Sequence, residues 1–298
     1  MNDAHLLNLL FRVAEVLVPV FALISVGYIY AKRFSADIRV ANELNMRLFV
    51  PALVFDALTQ QNFDVMAHPW LLLAGVIVVL GSGVLSIPFA RKAKQSVSSF
   101  TPSMMFNNSG NMGLPVALLA FGQEGLQIAL LLFMVTNLLH FTLGMRIVSG
   151  RMQYSEVFFN AVNIATILGL VISMSQFKLP QMATVPISMA GQVAIPLMLV
   201  SLGIRMTAFD MRLLKVGLIA AFVRPLVGII TAFIAIYLLP MTGLEQKLLI
   251  LYAVMPPAVL NYLFAEKFNQ SPEAVASMVI VGNAISIFVL YITLMFIL

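Results

Sequence analysis

Apolar residues run along this chain in blocks of about 20, the length a helix needs to cross a bilayer, with polar residues gathered between them. Ten blocks stand out, at 13–31, 40–59, 69–90, 99–121, 125–147, 157–176, 184–206, 213–239, 245–266 and 273–298. Turn chemistry separates them: His68-Pro69, Gly122-Gln123-Glu124, Lys178-Leu179-Pro180, Leu239-Pro240 and Ser271-Pro272-Glu273 fall at block ends or between blocks. The pattern predicts an all-α polytopic membrane protein with ten transmembrane helices and no connection long enough for a soluble domain.

Two of the blocks are interrupted by polar or helix-breaking residues. In the fourth, residues 106–115 read Phe-Asn-Asn-Ser-Gly-Asn-Met-Gly-Leu-Pro; in the ninth, Met255-Pro256-Pro257 is followed closely by Asn261. Lipid tolerates irregular backbone only where protein or a watery cavity satisfies the freed N–H and C=O groups, each costing several kcal/mol if left unpaired. Paired interruptions in corresponding halves of a chain are the best sequence pointer to a transporter's binding site.

Corresponding halves are visible here. Phe49-Val50-Pro51-Ala52-Leu53-Val54 in block two resembles Ala194-Ile195-Pro196-Leu197-Met198-Leu199 in block seven. The broken blocks four and nine follow, each leading through Phe121-Gly122-Gln123 or Phe268-Asn269-Gln270 into a block with a central asparagine, Asn137 or Asn283. The repeat unit is five spans, an odd number, so its copies, 1–150 and 151–298, must enter the membrane in opposite directions. Two inverted five-helix repeats with crossing broken helices four and nine are therefore expected.

Composition agrees. Of 298 residues, 61% are hydrophobic and 10% charged, and the mean hydropathy of +1.00 is beyond what a soluble domain of this size carries. The net charge of +5 is dispersed through short loops and forms no nucleic-acid face. It reads as topology. Lys32, Arg33, Arg39, Arg91, Lys92, Lys94, Arg146, Arg151, Arg205, Arg212, Lys215 and Lys267 fall on one side, against Arg12, Lys178 and Lys247 on the other. A bias of twelve to three places both termini outside. The block at 13–31 lacks a basic leader and a small-residue cleavage site, and reads as a true span.

Within the fourth block, Gly110, Gly113 and Pro115 remove side chains and a backbone donor, so helical bonding is expected to lapse over about one turn. A half-helix starting near Leu114 would aim free N–H groups at an anion, with Asn107, Asn108, Ser109 and Asn111 adding neutral partners. The competing reading is tight packing by small residues; three clustered amides favour a task. In the ninth block, Pro256 and Pro257 remove two donors and Asn261 lies one turn on. Asn137 and Asn283 either bond the carbonyls released by the prolines or contact ligand directly. His140 is either a proton carrier or a neutral histidine donating to a backbone carbonyl. Asp56 stays open between proton carrier and interfacial residue; Arg47 reads as snorkelling. Glu15 and Arg224 stand in or near spans without an assigned role.

Other classes lose support. The chain has no phosphate-binding Gly-rich loop with lysine, no nucleophile elbow, no zinc-protease motif and no clustered aspartates. Zero cysteines removes thiolate chemistry. No enzyme and no cofactor or metal is expected, with coupling to a proton, sodium or the membrane potential left open.

The residues 108–115, Ala-Ile-Pro-Leu at 194–197 and Met-Pro-Pro-Ala at 255–258 together resemble the auxin efflux carrier family, whose bacterial members are known as malate or malonate permeases. The resemblance runs over the whole chain. It implies a fold similar to the bile-acid sodium symporters, with spans 1, 2, 6 and 7 as scaffold and spans 3–5 and 8–10 as a mobile transport unit. Plant members carry a long loop between spans five and six; here it shrinks to about residues 148–156. Substrate contact would pass to Asn108, Asn111, Pro115, Pro257 and Asn261. A secondary carrier of small organic anions in a bacterial inner membrane, moving by an elevator-type shift and dimeric through its scaffold, is what the resemblance and the residues together lead one to expect. The alternatives are a sodium-coupled symporter of the same fold and a membrane receptor that binds without transport.

Overall fold

The computed structural model describes residues 3–34, 37–59, 65–151, 160–175, 177–208 and 213–298. Arg212 and residues 152–156 of the short central connection lie outside this set. The described residues are almost wholly helical. In order they form α1 (Asp3–Arg33), α2 (Arg39–Leu44), α3 (Val50–Thr59), α4 (Pro69–Lys92), α5 (Val97–Met105), α6 (Leu114–Leu139), α7 (Met145–Ser149), α8 (Ala161–Ser175), α9 (Gln181–Arg205), α10 (Leu214–Leu238), α11 (Gly243–Val254), α12 (Val259–Lys267) and α13 (Pro272–Ile297). Among them, six stretches are long and apolar enough to cross a bilayer: Leu7–Arg33, Pro69–Lys92, Ser109–Ser149, Gln181–Arg205, Leu214–Leu238 and Pro272–Ile297. Ala161–Ser175 is apolar but shorter. Phe222, Phe233, Tyr237, Phe288 and Phe296 are largely exposed, as lipid-facing side chains are. This is a polytopic membrane protein.

Three turns of π-helix interrupt the regular winding, at Asn45–Phe49, Ser109–Gly113 and His140–Gly144. The first joins α2 to α3, so the predicted block 40–59 is one helical run with an inserted residue. Arg47 lies in that turn and pairs with Glu43 at 3.1 Å, both well exposed. Such a surface pair contributes roughly 0–1 kcal/mol, in keeping with the snorkelling expectation.

Two boundaries differ from the sequence reading. The predicted separation at Gly122-Gln123-Glu124 contracts to one residue: 114–139 keep helical bonding, and only Gly122 leaves it, at φ 69° and ψ −158°. A side chain resists that conformation, although open space surrounds the position. Gly122→Ala is therefore expected to cost about 1–3 kcal/mol from backbone strain alone. It should be read as a lower apparent melting temperature in detergent; an unchanged value would show that the turn relaxes without glycine.

The second correction concerns the break in block four. Helical bonding does not lapse over Gly110–Pro115. Gly113 has helical angles (φ −64°, ψ −46°), and the half-helix starts at Ser109, more than a turn before the expected Leu114. The break itself is Phe106–Asn108, with Phe106 extended at φ −101°, ψ 107°.

Two compact units are separable by their internal contacts: Met1–Phe21, Trp70–Met152 and Ala208–Leu298 form one, Ala22–Pro69 and Gln153–Thr207 the other. In the second, α3 packs on α8 and α9. Glycine makes this close approach possible: a Cβ on Gly203 of α9 would sit 1.9 Å from the Ile24 carbonyl oxygen, and one on Gly191 would lie 2.9 Å from Leu53 Cα. In the first, α10 lies along α13 and against α11, while α6 packs on α11 and α5 on α10 and α13. Both interrupted helices belong to this unit.

Candidate functional site

Proline chemistry sets the geometry of the ninth block. Pro256 and Pro257 have no N–H, so the carbonyls four residues upstream, of Tyr252 and Ala253, lose their helical donors and α11 ends at Val254. Substitutes arrive from other helices. Asn107 Nδ2 donates to the Tyr252 carbonyl at 2.6 Å, and Arg224 Nη1 donates to the Ala253 carbonyl at 3.2 Å. At its other end α11 is closed by a capping box, Thr242 Oγ1 accepting from the Glu245 N–H and Glu245 Oε2 accepting from the Thr242 N–H.

The two breaks cross. Asn107 and Pro257 face each other in an isolated antiparallel bridge: the Asn108 N–H donates to the Pro256 carbonyl at 2.7 Å, and the Ala258 N–H to the Phe106 carbonyl at 3.0 Å. Extended backbone on each strand thus satisfies the other in place of helix.

Side-chain amides complete the joint. Asn261 Nδ2 donates to the Phe106 carbonyl at 2.9 Å. Asn283 Nδ2 donates to the carbonyls of Pro257 and Val279 at 3.1 and 2.7 Å, and its Oδ1 accepts from Asn108 Nδ2 at 2.8 Å. Asn283 therefore does bond a carbonyl of the proline pair, though it also anchors Asn108. Gly282 beside it leaves the room that Pro257 fills, since a Cβ there would lie 2.7 Å from Pro257 Cδ. Asn107, Asn108, Asn261 and Asn283 are all buried and all committed to the crossing.

Asn111 differs. It lies on the π-helical turn beside the crossing, half-buried, and among the described residues no hydrogen bond holds its side chain. Around it the N–H groups of Ser109, Gly110 and Asn111 precede the first bonds of the half-helix, which run from Met112 and Gly113 back to the Asn108 carbonyl. They carry the positive end of the helix dipole. Pro115 sits in the first turn of α6, where a missing N–H is tolerated. Ser109 and Gly113, with Ala129, Leu132, Leu248, Leu251, Tyr252 and Met255, line a small cavity of about 240 Å³ including its mouth. Tyr252 closes one wall, its hydroxyl 2.5 Å from Thr136 Oγ1.

Not every predicted residue reaches this place. Asp56 belongs to the other unit, half-buried on α3 and hydrogen-bonded to Ser188. Asn137 is half-buried near the end of α6 and has a partner. His140 is buried with its ring stacked on Phe106 (4.1 Å, 7°) and edge-on to Phe264 (5.1 Å). Its Nε2 has no hydrogen-bond partner, so the expected donation to a carbonyl is not made there. The stack on Phe106 ties His140 to the break through ring contact, which spacing in the sequence does not reveal. Arg224 and Tyr252 join the site without having been expected there. A signal exists for each: a charge within an apolar block, and an aromatic hydroxyl four residues before a proline pair.

Interrupted helices crossing inside an apolar helical unit define an integral membrane protein built to hold a small polar ligand away from lipid, as transporters do. The chain matches the model of the membrane transport protein family over residues 12–161 and 150–294. It belongs to that family, which includes the auxin efflux carriers. An uncharacterized transporter of Methanocaldococcus jannaschii is 25% identical over 296 residues, covering 93% of this chain and 96% of the relative. One of Methanothermobacter thermautotrophicus is 24% identical over 288 residues, covering 92% and 94%.

Proposed function

We propose that the protein is a secondary carrier of small organic anions, carboxylates first among them, and that it binds its substrate at the crossing. The observation that carries this reading is Asn111: an uncommitted, half-buried amide beside three orphan N–H groups at a helix start, where every other amide of the crossing is already used. Donors and a positive dipole end favour an anion, and a neutral site holds it weakly enough to let it leave. Under this reading the substrate-contacting set narrows from Asn107, Asn108, Ser109, Gly110, Asn111, Gly113, Pro115, Pro256, Pro257 and Asn261 to Asn111 and the Ser109–Asn111 backbone, with the rest as frame.

The wider proposal is ten spans in two inverted five-helix repeats, both termini outside, in a bacterial inner membrane. Spans 3–5 and 8–10 move as an elevator past spans 1, 2, 6 and 7, through which two copies pair. The division of the chain into the two contact-defined units supports this grouping of helices, and the antiparallel bridge between the breaks supports the inversion. Sodium coupling is a second reading, favoured by Asn107 Oδ1 and Asn261 Oδ1, two buried acceptors at the crossing without donors. Sodium dependence of flux separates the two.

The test is uptake by proteoliposomes offered malate, malonate, oxalate and indole-acetate. Flux of a cation with none of these carried would reject the anion reading. Asn111→Ala should leave the melting temperature nearly unchanged while weakening substrate binding by about 1–3 kcal/mol, the penalty for an unpaired polar group in a dry site. Equal uptake by wild type and variant at low substrate would make the break purely structural.

A further inference from the structure

Arg224 lies within α10 and is completely buried, a charge in the larger unit that anion binding at Asn111 does not use. Its guanidinium sits over Gly228, one turn on, and its Nη1 caps the Ala253 carbonyl that Pro257 leaves without a donor. Capping occupies one edge only. Nε and Nη2 are buried and have no hydrogen-bond partner. These two nitrogens form the side-on edge of a guanidinium, with parallel N–H groups spaced to match the two oxygens of a carboxylate.

The protein supplies no such carboxylate among its described residues. The ion pairs there are Arg39–Asp37 and Arg47–Glu43, and the titratable group that faces Arg224 is Tyr252. A neutral amide in place of the guanidinium would serve as a carbonyl cap without burying a charge. An always-ionised fork with its better edge empty, sealed in an apolar interior, is explained by a counter-charge that comes and goes.

We propose that the Nε–Nη2 edge of Arg224 receives a carboxylate of the transported anion, giving the crossing a fixed positive charge besides its helix ends. This rests on the organic-anion reading. The edge is closed to the outside in this conformation, so loading requires the packing around Arg224 to open. Arg224 caps Ala253, and Tyr252, the residue before it, lines the cavity beside Ser109. A bound carboxylate would therefore reach the end of α11 as well as the start of the half-helix at Ser109.

The experiment uses the purified full-length protein, with malonate, malate, oxalate and acetate as probes. Wild type is expected to bind at least one of them and to melt higher in its presence. R224K keeps charge and cap but loses the fork, and should bind at least tenfold more weakly. R224Q keeps a cap without charge, and should lose the ligand-induced shift while melting no lower than wild type when ligand-free. A structural cap alone predicts the reverse: a lower ligand-free melting temperature with unchanged affinity. R224Q binding within twofold of wild type overturns this proposal and leaves the anion reading standing; a wild type that binds no carboxylate overturns both. Stabilisation of wild type by chloride as strong as by the carboxylates overturns the carboxylate assignment. Should neither variant fold, wild type is treated with an arginine-selective dicarbonyl and the Arg224 peptide is followed by mass spectrometry. Protection by the bound carboxylate is expected, and equal modification with and without it rejects the proposal.

Discussion

Asn283→Ala is expected to destabilise the protein by about 2–4 kcal/mol, since three buried hydrogen bonds go at once and each contributes roughly 1 kcal/mol. The loss is not only of the bonds. The Pro257 carbonyl would be left without its side-chain donor and Asn108 Nδ2 without its acceptor, both in a water-free interior. The change should appear as a drop of several degrees in apparent melting temperature in detergent. Asn283→Asp separates the two halves of the effect, because it keeps an acceptor for Asn108 and removes both donated bonds. A melting temperature within a degree of wild type for Asn283→Ala would mean that the crossing is held by backbone pairing alone.

Gly228→Ala should be comparably damaging, by a different mechanism. The added Cβ would lie 2.0 Å from the Ala253 carbonyl oxygen and 2.6 Å from Arg224 Nη1. The first neighbour is backbone at the end of α11 and cannot rotate away, so α10 and α11 must separate. Overpacking of this kind costs about 1–3 kcal/mol. Separation also weakens the Arg224 bond to the same carbonyl, adding roughly 1 kcal/mol. Gly243→Ala is the control: nothing lies within 4 Å of its added Cβ, and its melting temperature should match wild type. If Gly228→Ala melts with Gly243→Ala, the contact between the helices is looser than the 2.0 Å approach implies.

Local chemistry made much of this molecule readable in one dimension. An apolar block needs no partner to declare that it will be a helix in lipid, because the bilayer leaves its backbone no other way to satisfy itself. For the same reason the block at 213–239 matches α10, Leu214–Leu238, and that at 273–298 matches α13, Pro272–Ile297, to within a residue at each end. The double proline at 256–257 likewise announces a break wherever it occurs, since the missing N–H is covalent. Glycine is a weaker signal. Gly110 and Gly113 permit irregular backbone without requiring it, and here they wind into a π-helical turn while the chain opens at Phe106–Asn108 instead.

Tertiary structure decided who answers the broken bonds. The donor that reaches the Tyr252 carbonyl comes from Asn107, 145 residues away; Asn261 reaches the Phe106 carbonyl across 155, and Asn108 reaches Asn283 across 175. A polar side chain in an apolar block states that it needs a partner and leaves open which one, so the sequence alone could not tell the amides that frame the crossing from Asn111, the one left over. Nor could it distinguish Arg47, exposed and paired four residues away, from Arg224, wholly buried with an empty edge. Both are arginines beside apolar neighbours; what differs is the packing around them, and packing is a property of distant segments brought together.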